Sequence, residues 1–95
     1  MIKGVTENEL KIIKEILFRY PYEFYLYGSR VKGDFTKSSD LDILIKADDK
    51  IPFEKIEELE TAFNNSLIPY IVNFSDFNKI TDEFYQLIKE SLVKI

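Results

Sequence analysis

The pattern of apolar and polar positions predicts helices in three stretches of the chain. Apolar residues recur at helical spacing within residues 6–18, 52–65 and 81–92. Thr6 and Glu9 match the capping box that opens a helix, Pro52 suits a first helical turn, and Thr81 suits an N-cap. The polar segment 29–39 predicts a functional loop or one short helical turn, so about four helices are expected in total.

Three short apolar runs between these helices predict strands at residues 24–27, 40–45 and 70–74. Alternate residues of a strand share a face. Asp40, Asp42 and Leu44 therefore point one way in the second strand, while the apolar residues between and after them point the other way. The predicted fold class is α/β (α+β), with a small mixed sheet packed against the helices.

The composition indicates one globular domain spanning residues 1–95. Hydrophobic residues make up 45% of the chain and aromatic residues 15%, which is too apolar for a disordered protein. A chain of 95 residues is near the lower end of what buries a self-sufficient core. We therefore expect some apolar surface to be covered by a partner protein or by a second copy in a homo-oligomer.

Charge and missing residue types narrow the chemistry. The net charge of −4 argues against a protein whose main task is to bind nucleic acid through phosphate contacts. The chain has no Cys and no His, so a bound metal ion must be held by oxygen ligands. No apolar run approaches the ~20 residues of a membrane span, and no signal-peptide core follows the first residues, so a cytoplasmic location is expected.

A phosphate-binding turn is predicted where the first strand ends. Gly28 allows the backbone to approach a ligand closely, and the N–H groups of a following helical turn form an anion site. Ser29 adds a hydroxyl donor and Arg30 a permanent positive charge. Gly28 and Gly33 have the spacing of a P-loop, but that motif requires Lys and then Ser or Thr directly after the second glycine. Asp34 and Phe35 follow instead, which excludes a P-loop.

A metal site is predicted on the second strand. A Gly-Ser-Arg turn alone is common in ordinary turns, and an Asp-x-Asp pair alone is common at solvated strand ends. Here Asp40 and Asp42 share one face of an otherwise apolar strand, where unpaired carboxylates are costly and a divalent cation would compensate them. Carboxylate and hydroxyl oxygens suit Mg²⁺, which bridges protein carboxylates to substrate phosphates.

The order Gly-Ser-Arg, Gly, then Ser-Asp-x-Asp and a hydrophobic residue resembles the signature of the polymerase-beta-like nucleotidyltransferases. The chain length and a later Pro-Tyr-x-Val segment at residues 69–72 narrow the resemblance. They are similar to the minimal nucleotidyltransferases that pair with HEPN-domain proteins in prokaryotic toxin-antitoxin modules. The resemblance extends from the first predicted helix to the last and implies the polymerase-beta-like nucleotidyltransferase fold.

The resemblance also implies roles for single residues. Gly28 and Ser29 would bind the triphosphate of a nucleotide, expected to be ATP, and Arg30 would support it. Asp40 and Asp42 would be the catalytic residues and would bind two Mg²⁺ (or Mn²⁺) ions. The partner would be a HEPN-type protein.

One position departs from the family pattern. In the family a third acidic residue comes from a neighbouring strand and helps to deprotonate the attacking hydroxyl. The strand at residues 70–74 would supply it, and the position holds Asn73. An amide oxygen can bind a metal ion, but an amide is not a useful base at neutral pH. A bulge in this strand could place Asp76 near the site instead. Without such a bulge, Asp76 is expected to be a surface turn residue.

Two functions are therefore consistent with the sequence. The first is an enzyme that transfers AMP from ATP to a hydroxyl of a partner protein, acting as the antitoxin of a HEPN pair. The second is an antitoxin subunit that retains the nucleotide pocket but is catalytically impaired by Asn73 and acts by binding its partner. A purely structural role would leave Asp40 and Asp42 unexplained.

Overall fold

The computed structural model describes residues 2–95, which contain four α-helices and a short 3₁₀ turn. The helices are α1 (Glu7–Leu17), α2 (Ser29–Lys32), α3 (Phe53–Asn64) and α4 (Asp82–Ile88), and the 3₁₀ turn is Lys89–Ser91. The predicted capping box is present, because the Thr6 hydroxyl accepts from the Glu9 N–H at 3.1 Å and Glu9 accepts from the Thr6 N–H at 3.0 Å. Within residues 2–95, no helix is long and apolar enough to cross a membrane.

Four strands form one mixed sheet. They are β1 (Glu23–Tyr27), β2 (Leu41–Lys46), β3 (Val72–Asp76) and β4 (Val93–Lys94), in the spatial order β3-β2-β1-β4. Strand β1 runs antiparallel to β2 and β4, whereas β2 and β3 are parallel. Parallel neighbours need a crossover connection, and α3 lies in the connection between β2 and β3.

The two faces of the sheet are covered differently. Helices α1 and α3 pack on the face that contains Leu41, Ile43 and Ile45, all of which are fully buried. Helix α4 packs on the other face, against Tyr27 and Leu44. The alternation predicted for the second strand is therefore confirmed, and α4 covers only part of the face to which Asp42 belongs.

The end of the chain departs from the sequence-based prediction. The last helix was expected to extend to residue 92, but α4 ends at Ile88 and the chain then forms β4. Val93 and Lys94 pair with Leu26 and Tyr25 of β1. This pairing is a tertiary contact between distant segments, and the helical spacing of the apolar residues gives no sign of it.

Strand β3 begins and ends two residues later than predicted. Its first residue is Val72 because the parallel register pairs Val72 with Leu41 at the start of β2. Just before it, the Leu41 N–H donates to the Ile71 carbonyl at 2.8 Å. Its last residue is Asp76, which pairs with Ile45. The position of the partner strand sets these limits, not the apolar run itself.

Candidate active site

The sheet register places Asp40, Asp42 and Asn73 together. Asp42 is directly opposite Asn73 across the parallel β2–β3 pair, and Asp40 lies just before β2. The Asn73 side-chain Nδ2 donates to Asp40 Oδ2 at 2.9 Å and to Asp42 Oδ1 at 3.4 Å. The two carboxylates and the amide therefore form one polar cluster at the end of the sheet that α4 leaves open.

The Gly28 turn lies directly against this cluster. Gly28 has a φ of +89°, a conformation that residues with a side chain rarely adopt, and a Cβ atom added there would collide with the Asp42 carboxylate. Helix α2 begins at Ser29, and the N–H groups of Val31 and Lys32 donate to the Gly28 carbonyl. Only glycine allows the turn and the carboxylate to be this close.

The first turn of α2 has free hydrogen-bond donors. Among residues 2–95, the backbone N–H groups of Ser29 and Arg30 have no hydrogen-bond partner. Ser29 is partly exposed and also presents its hydroxyl. Two N–H donors and a hydroxyl beside a pair of carboxylates suit an anion that itself binds a cation, as a metal-bound phosphate does.

The electrostatics of the cluster favour a cation. Burial raises the pKa of Asp42, the hydrogen bond from Asn73 opposes this shift, and the nearby charge of Asp40 raises the pKa further. Neither carboxylate forms a salt bridge with a Lys or Arg of residues 2–95. The pair is therefore compensated only by an amide, which leaves its negative charge available to a metal ion.

The residues present fit a divalent cation held by oxygen atoms. Asp40 and Asp42 supply carboxylate oxygens, and a half-turn of the Asn73 amide would present its Oδ1 atom where Nδ2 now lies. Across the part of the chain that the structure describes, no three acidic side chains come together as a metal site. The site thus contains two carboxylates and one amide, which suits a cation that keeps several waters and binds substrate phosphate.

Aromatic and hydroxyl side chains close the cluster on the side of α4. Tyr27 is opposite Asp42 on β1, is buried, and packs edge-to-face with Phe84 at a ring separation of 6.1 Å. Its hydroxyl shares a hydrogen bond of 3.0 Å with Ser75 Oγ, and burial raises its pKa. Ser75 is not among the residues predicted for the site, although its spacing of two from Asn73 places both residues on one face.

Arg30 does not point towards the carboxylates, contrary to the expectation that it supports the triphosphate. Its side chain is buried, and its guanidinium donates to four backbone carbonyls at 2.7–3.3 Å. The guanidinium carbon also lies 3.7 Å from the centre of the Tyr70 ring. These contacts use the donors that would otherwise reach a phosphate.

Asp76 cannot act as the third carboxylate of this cluster. It pairs with Ile45 in an unbroken register, so its side chain lies on the opposite face of the sheet from Asn73. Asp76 is buried, and its two carboxylate oxygens accept from the N–H groups of Ile51 at 2.7 Å and Asn78 at 2.8 Å. The bulge that would bring it to the site is absent from β3, and its role is structural.

Comparison with known proteins agrees with this geometry. Residues 8–94 match the family described as "Polymerase beta, Nucleotidyltransferase". The chain is 33% identical over 93 residues to the probable protein adenylyltransferase MntA of Haemophilus influenzae, and the match covers 96% of this chain and 82% of that protein. The protein belongs to the minimal nucleotidyltransferase family of the polymerase-beta-like nucleotidyltransferase superfamily.

Proposed function

We propose that this protein binds ATP together with Mg²⁺ and transfers AMP to a hydroxyl group of a partner protein. The observation that supports the proposal best is the contact between the Gly28 turn and the Asp42 carboxylate, beside Asp40. The hydroxyl and N–H groups that we propose for phosphate binding would then lie beside the carboxylates that we propose for metal binding. Transfer of a nucleotidyl group to protein is the activity named for the Haemophilus influenzae relative.

The reaction is a substitution at phosphorus. The acceptor oxygen forms a bond to the α-phosphorus of ATP, the bond from that phosphorus to the bridging oxygen breaks, and pyrophosphate leaves with the electron pair. The hydroxyl proton passes to water, since Asn73 cannot accept it at neutral pH. Positioning and charge stabilisation are the main demands of such a transfer.

Each part of the cluster has a task in this scheme. The Ser29 hydroxyl and the free N–H groups of the α2 turn bind and orient the phosphates. Asp40 and Asp42 would hold the metal, and Asn73 would contribute its amide oxygen after a half-turn of its side-chain amide. Bound Mg²⁺ supplies Lewis-acid stabilisation of the negative charge that develops on the phosphate oxygens.

Asn73 favours a second candidate function. With no carboxylate to accept the proton, transfer should be slow, whereas ATP and one metal ion would still bind. The protein would then be an impaired nucleotide-binding antitoxin subunit that acts by covering its partner. The two candidates share one binding site and differ in the rate of transfer.

The proposed partner is a HEPN-type protein, in the cytoplasm, with this chain as the antitoxin. Among residues 2–95, five large apolar side chains are exposed, and they provide surface that a partner would cover: Phe18, Phe53, Leu67, Ile71 and Leu87. A HEPN-type protein encoded by the adjacent gene would support the pairing. Co-expression of the two proteins followed by size-exclusion chromatography tests it, and two separate peaks at micromolar concentration would argue against it.

Calorimetric titration with ATP, in the presence and absence of Mg²⁺, tests the binding site. We expect metal-dependent heat for the wild-type protein and none for the double variant Asp40→Ala/Asp42→Ala. Equal heat for both proteins would exclude the proposed site. Transfer of labelled AMP from ATP to the co-purified partner then separates the two candidates, because an impaired subunit would bind ATP yet label nothing.

A further inference from the structure

Arg30 is the centre of a buried network that joins four separate segments of the chain. Its Nη1 donates to the Gly4 carbonyl at 2.7 Å, its Nη2 to the Thr36 and Lys37 carbonyls at 3.3 and 2.8 Å, and its Nε to the Ser39 carbonyl at 2.7 Å. The third segment contains Tyr70, whose ring covers the guanidinium. The fourth is α2, to which Arg30 itself belongs.

The network is connected to the metal-binding cluster at two points. The Ser39 carbonyl that accepts from Nε belongs to the peptide unit joining Ser39 to Asp40, so the guanidinium fixes the plane from which Asp40 extends. Tyr70 lies three residues before Asn73, on the chain leading into β3. The Tyr70 hydroxyl donates to Glu9 at 3.0 Å, which anchors this segment to α1.

The contacts of this network require an arginine in particular. Arg30 forms no salt bridge with a carboxylate of residues 2–95, so its buried charge is compensated by carbonyl oxygens and aromatic rings. The loop of residues 36–39 directs three carbonyls at one side chain. The planar guanidinium of arginine has five N–H donors and satisfies such an arrangement, whereas a lysine ammonium cannot.

We propose that Arg30 is a positioning residue for the metal site. Arg30 holds the 36–39 loop and the α2 turn in one fixed relation, so that Asp40 faces Asp42. The inference rests on the proposed metal and nucleotide site and deepens it. Arg30 acts on the metal through the backbone of Ser39 and Asp40 and never touches the nucleotide. Groups that orient the ligands of a metal in this way typically change its affinity by about 10- to 100-fold when they are replaced.

The test measures Mn²⁺ binding without nucleotide, by the paramagnetic resonance signal of the free ion. Arg30→Lys keeps the charge and loses the planar guanidinium, and Arg19→Lys, at an exposed arginine outside the site, is the matched control. We expect Arg30→Lys to bind Mn²⁺ at least about 10-fold more weakly than wild type, and Arg19→Lys to bind it as wild type does. Circular dichroism and urea unfolding establish that each variant is folded at the temperature used.

A second pair of variants serves if Arg30→Lys does not fold. Tyr70→Leu removes the ring that covers the guanidinium, whereas Tyr70→Phe keeps the ring and removes only the hydroxyl bond to Glu9. We expect weaker Mn²⁺ binding for Tyr70→Leu than for Tyr70→Phe. Equal binding by these two variants would overturn the inference.

The possible results separate this inference from the proposed function. A wild-type protein that binds no Mn²⁺, either alone or together with ATP, overturns both. Wild-type binding with unchanged binding by folded Arg30→Lys overturns the positioning role alone. Unchanged Mn²⁺ binding with weakened ATP binding would assign Arg30 to the phosphates and overturn the positioning role as well.

Discussion

Asp42 and Asp76 lie on neighbouring parallel strands, but their surroundings are opposite. Asp76 is buried, and both of its oxygens accept from backbone N–H groups, one of them just before α3 and the other in the turn after β3. Asp42 is half-buried, and its only side-chain hydrogen-bond partner among residues 2–95 is the Asn73 amide, at 3.4 Å, while a second carboxylate lies beside it.

The difference separates a structural carboxylate, Asp76, from the proposed metal ligand, Asp42. Backbone donors compensate the charge of Asp76, so this residue stabilises the fold, and its side chain lies on the opposite face of the sheet from Asp42. The charge of Asp42 is left without such donors, at a cost that a bound cation would remove. The chain therefore retains an unfavourable arrangement at one end of the sheet, as expected where stability is given up for binding.

The largest expected effect comes from completing the cluster with Asn73→Asp. Residue 73 is opposite Asp42 and within hydrogen-bond distance of Asp40, so a carboxylate there would add charge to the metal site and accept the hydroxyl proton. We expect transfer of labelled AMP to the partner to rise on the order of 10²–10⁴-fold, the usual contribution of a general base.

The same variant should also be less stable than wild type without metal and gain more stability when Mn²⁺ is added, because three carboxylates repel one another. Thermal unfolding with EDTA and with Mn²⁺ measures this. If Asn73→Asp changes neither transfer nor the metal-induced shift, the wild-type cluster is not limited by its missing carboxylate.

The next effect tests the close contact between the Gly28 turn and Asp42. Gly28→Ala and Gly33→Ala both place a side chain at a positive φ, of +89° and +100°, so both should cost stability. Only at Gly28 does the new Cβ collide with the Asp42 carboxylate; at Gly33 it meets the flexible side chain of Lys3.

We therefore expect calorimetric titration with ATP and Mg²⁺ to show clearly weaker binding by Gly28→Ala and nearly unchanged binding by Gly33→Ala, since only the first variant displaces the Asp42 carboxylate. Equal losses in the two variants would mean that the contact with Asp42 has no specific importance.

Local signals in the sequence predict much of the fold. Helix α1 and strand β2 are confirmed, because a capping box and an alternating apolar pattern lie within the segments that they describe. Strand β4 could not be predicted, since two residues form a strand only by pairing with β1. The limits of β3 depend in the same way on the register with β2.

In the candidate site, too, some features follow from local sequence signals and others depend on the folded chain. The grouping of Asp40, Asp42 and Asn73 follows from alternation along two strands, and the structure places them together. The direction of Arg30 does not follow from sequence, because its side chain turns to carbonyls of a loop whose path only the folded chain defines. A motif therefore indicates which residues are near a site more readily than which of them face it.

A smaller effect is expected when the structural carboxylate is altered by Asp76→Asn. The amide keeps one acceptor oxygen but turns an N–H₂ group towards a backbone N–H, so one buried donor loses its partner. The expected loss is about 1–3 kcal/mol of unfolding free energy, measured by urea denaturation. Mn²⁺ binding by the folded variant should stay at the wild-type level, and a loss of binding would show that the two carboxylates are coupled.

The smallest effect on stability is expected for Asp42→Asn, and it is the most direct test of the contrast. The variant makes the same chemical change as Asp76→Asn but should raise the free energy of unfolding instead of lowering it. Removing the charge ends the repulsion with Asp40 and lowers the cost of partial burial, the same burial that raises the pKa of the Asp42 carboxyl. The metal-free protein in EDTA should gain a few tenths to about 1 kcal/mol of unfolding free energy, as for other like-charged neighbours on a sheet. The gain should shrink in high salt, which screens the repulsion.

Mn²⁺ binding should be lost in the same variant. If Asp42→Asn instead destabilises the metal-free protein as much as Asp76→Asn does, Asp42 is a structural carboxylate after all, and the distinction between the two ends of the sheet fails.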